Sequence, residues 1–190
     1  MRDPDWLADR ARYPRRPWLK EQSIWAVAVY RFGRRNDRRR RGPVRWALGK
    51  VYQAAYLVTE TLTGITLPKT ATIGPGLRIW HFGNVVVHAD AVMGANCVLR
   101  QGVTIGNRYD DGPAPVLEAE VDLGAYAQVL GGVRIGRGAK VGAMSVVLTD
   151  VPAGATVVGA PARVVRSPGV AAEVVALGLG GPIDGQEAPP

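Results

Sequence analysis

Two histidines, His81 and His88, and one cysteine, Cys97, are the residues of this 190-residue chain best suited to proton transfer or nucleophilic chemistry. An alcohol is almost never ionised at neutral pH, so a reaction at a hydroxyl needs a base that titrates near neutrality, and imidazole fits that need best. His81 lies in IWHFGNVVV and His88 in VVVHADAVMG. His88 reads as a hydrogen-bonded turn residue. Cys97 and Ser145 fall on small inward positions of a repeat, which makes them core residues rather than nucleophiles. No Ser-His-Asp arrangement is evident. Two histidines cannot supply the three ligands of a histidine-bound zinc enzyme, so no metal is expected.

The elements that must position these side chains follow from a repeat. An aliphatic residue recurs at every sixth position through Leu117, Leu123, Val129, Ile135, Val141 and Val147, and the same spacing holds upstream through Val87, Met93, Leu99 and Ile105. Ile105 and Leu117 are two periods apart, so the phase survives the interruption NRYDDGPAP at 107–115. Ile73, Leu77, Ile79 and Val85 extend the pattern, with a two-residue shift before Val87. Glycine often follows the aliphatic residue. A small or β-branched residue sits four positions after it, as at Cys97, Val103, Val121, Ala127, Val133, Ala139 and Ser145. A period of six is neither helical nor simple strand alternation. It describes a short strand and a turn, with three units closing one triangular coil and each coil burying the face of the next. About five coils fit between residues 68 and 158.

Residues 1–66 form an N-terminal helical region, 67–166 the β-helix domain and 167–190 a tail read as a short helix followed by disorder. Helical spacing of Ile24, Val27, Ala28, Arg31 and Phe32, and again of Val44, Leu48, Val51, Ala55, Leu57 and Val58, predicts two helices. A turn containing Gly42-Pro43 joins them. The net charge is +8, and residues 1–66 carry it, with 15 Lys/Arg against 6 Asp/Glu. Its densest run is Arg34, Arg35 and Arg38 to Arg41. That run reads as a solvated inter-helix loop, with weak contact to a membrane surface as a second expectation and no nucleic acid expected. A single cysteine, no membrane-length apolar run and no signal-peptide pattern point to the cytoplasm.

The stretch VLGGVRIGRGAKVGAMSVVLTDVPAGATVVGAPARVVR, the exit GAPAR at Gly159 to Arg163 and the segment around His81 resemble the serine acetyltransferase branch of the hexapeptide-repeat acyltransferases. The likeness runs from about residue 24 to residue 166. It implies a mainly β fold, a left-handed parallel β-helix with a short N-terminal helical region. It also implies a homotrimer with active sites between adjacent prisms, acetyl-CoA as co-substrate, and His81 as general base of direct acetyl transfer to a hydroxyl. By the same likeness the CoA contacts are Gly106, Ala125, Ala143, Ala160 and Arg163. The branch's longer helical domain builds a dimer of trimers, and this chain matches only its last part, so a plain trimer is expected.

The chain departs from the branch where the amino-acid acceptor binds. Trp80 stands where an aspartate precedes the catalytic histidine, Thr66 where a second aspartate orients it, and Ala114 where a further histidine enters after the loop. An ammonium group needs a carboxylate partner, whereas a tryptophan face suits the C–H surface of a sugar ring. The expected acceptor is therefore a sugar or glycan-precursor hydroxyl, as in the related enzymes of polysaccharide biosynthesis. Serine is the alternative. A non-catalytic scaffold or nucleic-acid-binding module is the alternative of another class. Trp80, Gln101, Asn107, Arg108 and Tyr109 are the candidate acceptor contacts, and Asp110 or Asp111 a candidate replacement for the missing orienter of His81.

Overall fold

Fifteen short strands, most of two or three residues, carry the repeat in a computed structural model that describes residues 3–167. They are β1 Ile65–Thr66, β2 Thr72–Ile73, β3 Arg78–Ile79, β4 Val85–Val87, β5 Val92–Met93, β6 Val98–Leu99, β7 Thr104–Gly106 and β8 Val116–Leu117. β9 Asp122–Leu123, β10 Gln128–Leu130, β11 Arg134–Ile135, β12 Lys140–Val141, β13 Val146–Val147, β14 Thr156–Gly159 and β15 Ala162–Arg166 follow. From β1 to β13 the strands pair in parallel at intervals of three, so the chain winds through three faces; β14 then pairs in parallel with β12, and β15 turns back antiparallel on β14. Sheet A holds β1, β4, β7, β10 and β13; sheet B holds β2, β5, β8 and β11; sheet C holds β3, β6, β9, β12, β14 and β15. The five strands of sheet A count five coils, as the repeat predicts.

The aliphatic ladder is the axis of the prism. Val87, Met93, Leu99, Ile105, Leu117, Leu123, Val129, Ile135, Val141 and Val147 are all buried, and so are Cys97, Val103, Val121, Ala127, Val133, Ala139 and Ser145 at the corners. Burying one such aliphatic chain stabilises by about 1.5–3 kcal/mol, whereas an exposed ion pair is worth about 0–1 kcal/mol. The ladder, rather than pairs such as Arg134–Glu118 on the outer face, holds the coils in register.

A stack of parallel strands leaves an open edge at its first coil, and unpaired backbone groups there invite association. Helices close that edge. They are α1 Pro4–Ala11, α2 Pro17–Lys20, α3 Ser23–Asp37 and α4 Pro43–Thr63. Asp3 caps α1 by accepting the Asp5 N–H, and Gly64, with φ of 64°, ends α4. Polar side chains then satisfy the first coil. The Tyr30 hydroxyl donates to the Ala71 carbonyl and accepts the Ile73 N–H at 2.9 and 3.0 Å. Arg31 donates to the Ile73 and Gly74 carbonyls, Asp9 accepts the Leu77 N–H, and Ser23 donates to the Ile79 carbonyl. Arg31 and Asp9 are themselves a buried pair at 2.6 and 3.0 Å.

α3 and α4 match the expectation from spacing, but the turn between them holds only Arg38 to Arg41 of the basic run; Arg34 and Arg35 belong to the last turns of α3, which continues to Asp37. α1 and α2 add two helices ahead of it, and β1 starts two residues before the expected boundary at residue 67. The expected tail helix lies outside the described residues. Among the described residues, no helix is long and apolar enough to cross a membrane.

Candidate active site

The corner at which the chain passes from sheet C to sheet A is the one that carries His81. In most coils this corner is tight: β6 leads to β7 through Arg100 to Val103, β9 to β10 through Gly124 to Ala127, and β12 to β13 through Gly142 to Ser145. Between β3 and β4 the corner runs from Trp80 to Asn84. Ile79 pairs with Leu99 and Val86 with Thr104, so the lower coil holds two residues more than the one above it. That insertion, visible in the sequence as the phase shift, pushes an exposed His81 off the ladder. Trp80 and Phe82 flank it, 47% and 49% exposed.

Backbone bonds stack the corner. Gly102 N–H donates to the Gly83 carbonyl, Tyr126 N–H to Gln101 and Met144 N–H to Ala125, all at 2.9–3.0 Å. The turn has positive φ at Gly83 and Asn84 in the His81 corner and at one position in each of the corners above it, Gly102, Tyr126 and Met144. At Gly102 a side chain would collide with the Tyr126 ring, only 2.2 Å from an added Cβ. The result is a ridge on one edge of the prism, ordered His81, Gln101, Ala125, Ala143 and Ala160. At the strand spacing of about 4.8 Å it extends roughly 19 Å. Small residues along it leave the main chain open to close approach. Gln101 Oε1 is buried there without a hydrogen-bond partner.

Trp80 is backed from below. The buried Arg78 guanidinium lies 4.1 Å from the Tyr13 ring and 4.3 Å from the Trp80 ring, and it pairs with Glu21. Such stacking is a cation–π contact and fixes the ring plane. Arg78, Phe82 and Tyr126 are site residues that spacing alone did not single out. Arg78 is hidden because it looks like an outward strand residue until α1 and α2 cover it.

The structure separates the other candidates from this ridge. Gly106 at the end of β7, and Asn107, Arg108 and Tyr109 on the loop from β7 to β8, stand at the corner between sheets A and B. Sheet A, about 10 Å wide for its three-residue strands, lies between that loop and His81 in one chain. Asp110 and Asp111 are exposed on the same loop, so within one chain neither orients His81. The loop is locally built: Asn107 Nδ2 donates to the Tyr109 carbonyl at 2.8 Å, and Gly131 is packed under Arg108. Arg163 is exposed on β15 and donates to the Ala162 carbonyl. His88 accepts the Asp90 N–H, which is the turn role expected of it. Thr66 donates to Glu60 at 2.7 Å and Ala114 is half-buried. Among the described residues no group of three His, Cys, Asp or Glu forms a metal site.

No family model matches the chain. It is 41% identical over 115 residues to a serine acetyltransferase of Synechococcus elongatus, covering 60% of this chain and 47% of that one. The chain thus spans about half the length of the curated relatives it matches. Soybean serine acetyltransferase complexed with serine superposes with a TM-score of 0.71 at 33% identity, over 85% of this chain and 66% of that one. Serine acetyltransferase of Brucella abortus in complex with coenzyme A gives a TM-score of 0.70 at 26% identity, over 85% and 64%. The solenoid is accordingly a left-handed parallel β-helix of hexapeptide repeats. These relatives carry the name of the serine branch, and none of them names a polysaccharide enzyme.

Proposed function

We propose, for this chain of the hexapeptide-repeat acyltransferase superfamily, direct transfer of the acetyl group of acetyl-CoA to the hydroxyl of a small acceptor, with His81 as general base. The observation that carries the reading is an exposed imidazole at the foot of a ridge of small residues that leaves backbone open along one prism edge. CoA is assigned to the main chain at Ala125, Ala143 and Ala160. An imidazole nitrogen of His81 takes the hydroxyl proton as the oxygen attacks the thioester carbonyl. The tetrahedral intermediate then expels the CoA sulfur, which receives that proton from the imidazolium. Ester and free thiol are the products. The loop bearing Gly106, Asn107, Arg108 and Tyr109 is assigned to the same site from a neighbouring copy, in a homotrimer.

Serine is the acceptor that the names of the relatives support. A sugar or glycan-precursor hydroxyl is a second reading, supported by the half-exposed Trp80 ring in the position of a carboxylate that would pair with an ammonium group. One assay separates them. Purified full-length protein is given acetyl-CoA with L-serine or with monosaccharides, and free thiol is followed. Acceptor-dependent release is expected. His81→Ala is expected to lower the rate roughly 100-fold or more with an unchanged melting temperature. Undiminished turnover in that variant would remove the mechanism. Trp80→Ala is expected to spare serine turnover and to cut kcat/KM for a sugar only if the ring is the acceptor platform.

A further inference from the structure

The Arg-rich turn has no part in the site just described, yet it borders a cavity of about 470 Å3 between the end of α3, the start of α4 and Lys69 of the first coil. That volume is in the range of small-molecule sites. Arg41, Arg45, Lys50 and Lys69 line it, against the single carboxylate of Asp37. Asp37 is already engaged, 2.8 Å from Lys69 and 3.7 Å from Arg45. Cationic charge therefore exceeds what the protein itself neutralises.

Two further features give the cavity a direction. α4 runs for 21 residues from a Gly42 cap that contributes no side-chain hydrogen bond. Pro43 has no N–H and the Trp46 N–H donates to the Gly42 carbonyl, so the Val44 and Arg45 amides are the ones left without an intrahelical acceptor, at the positive end of the helix dipole, which favours an anion. Independently, Asn36 lines the cavity at 3% exposure. Its Nδ2 donates to the Arg45 carbonyl at 3.0 Å, and its Oδ1 is buried with no partner. Buried acceptors are rarely left unpaired. A solvated basic loop accounts for the exposed arginines but not for this orphaned oxygen, which calls for a donor inside the cavity.

We infer that this cavity binds a phosphate ester that also carries a hydroxyl or amino donor. The phosphate sits at the N-terminus of α4 among Arg41, Arg45 and Lys50, and the donor reaches Asn36 Oδ1. The mouth is edged by Trp46, 69% exposed, whose ring lies 5.9 Å from Lys50 Nζ and reports on occupancy. A soluble phosphate ester and a phosphorylated lipid headgroup share this chemistry, and the experiment distinguishes them.

The full-length protein is titrated with AMP, pyrophosphate and adenosine by calorimetry and by tryptophan fluorescence, and is floated with vesicles of phosphatidylcholine with or without phosphatidylinositol phosphate. Saturable, salt-sensitive binding of AMP is expected, with weaker binding of pyrophosphate, which lacks the hydroxyl and amino donors, and none of adenosine. The exposed pair Arg41→Gln/Lys50→Gln should weaken it at least tenfold, with ligand-free melting temperature and acetyl transfer unchanged. Binding confined to the phosphoinositide vesicles, and lost with the same pair, supports the phosphate site and assigns it to a headgroup. Absence of binding to every probe, or binding that the double substitution does not weaken, overturns the inference.

Discussion

The Cys97 sulfur lies under the corner between sheets B and C, within 3.4 and 3.3 Å of the Gly94 and Glu118 carbonyls. Burial pushes the thiol's pKa up, so little of the reactive thiolate is present near neutrality. Native protein is therefore expected to leave Cys97 unlabelled by Ellman's reagent at pH 7.5, and to release one equivalent of thiol after unfolding in guanidinium. Fast labelling of the folded protein would contradict its place in the core. The same inertness keeps the protein's own thiol out of an assay that counts released CoA. Glu118 behaves oppositely. The Arg137 N–H and the Arg134 guanidinium hold its carboxyl below the ordinary value of 4.5. A depressed carboxylate contributes stability above its unfolded value and loses it as pH falls through the folded one. Below about pH 4.5, the melting temperature of Glu118→Gln should fall less steeply with acid than that of the parent. Both environments are invisible in a one-dimensional reading, although Cys97's inward position followed from the period of six. His81 was legible for a different reason, the likeness of IWHFGNVVV to the catalytic segment of the serine acetyltransferase branch.

At the scale of elements, the informative unit is the helical cover on the first coil. Arg31 is buried against Asp9, and each also serves a strand backbone group. Burial alone would lower the Arg31 pKa, and the Asp9 carboxylate outweighs it and raises the value. Removing one partner strands the other charge in the interior, at a cost of about 3–5 kcal/mol. Asp9→Asn is expected to lower the melting temperature by about 10 °C. Asp9→Leu combined with Arg31→Met should recover part of that loss, and thermal denaturation of the three proteins measures it. A double variant as unstable as the single one would assign the loss to the strand contacts instead. Spacing revealed α3 and α4 because long amphipathic helices repeat their pattern several times. α1 and α2 are too short to do so, at eight and four residues. The value of this segment lies in Asp9 of α1 and in Tyr13 and Glu21 beside the two helices, polar residues with partners on the first coil more than fifty positions away in sequence. Only folding brings such pairs together, so no local pattern announces them.

For the whole molecule, the decisive fact is that one chain keeps the His81 ridge and the 107–115 loop on different edges of its prism. Two copies side by side can oppose the ridge of one to the loop of the next, and a closed ring of such heterologous contacts is cyclic. Light scattering should then report three times the 20.3 kDa chain, and a hexamer would count against a plain ring. A sharper test uses two inactive proteins. His81→Ala retains the loop, and a variant with residues 108–113 replaced by a Gly-Ser linker retains the imidazole. Each should be inactive alone, because every interface lacks one half. In randomly mixed trimers, about a quarter of the interfaces pair an intact histidine with an intact loop. Co-expression should therefore restore about a quarter of the parental rate. No recovery, with mixed trimers verified by mass spectrometry, would mean that each prism works alone. The loop would then have to reach His81 across sheet A of its own chain, a path the folded chain blocks with the full width of its strands.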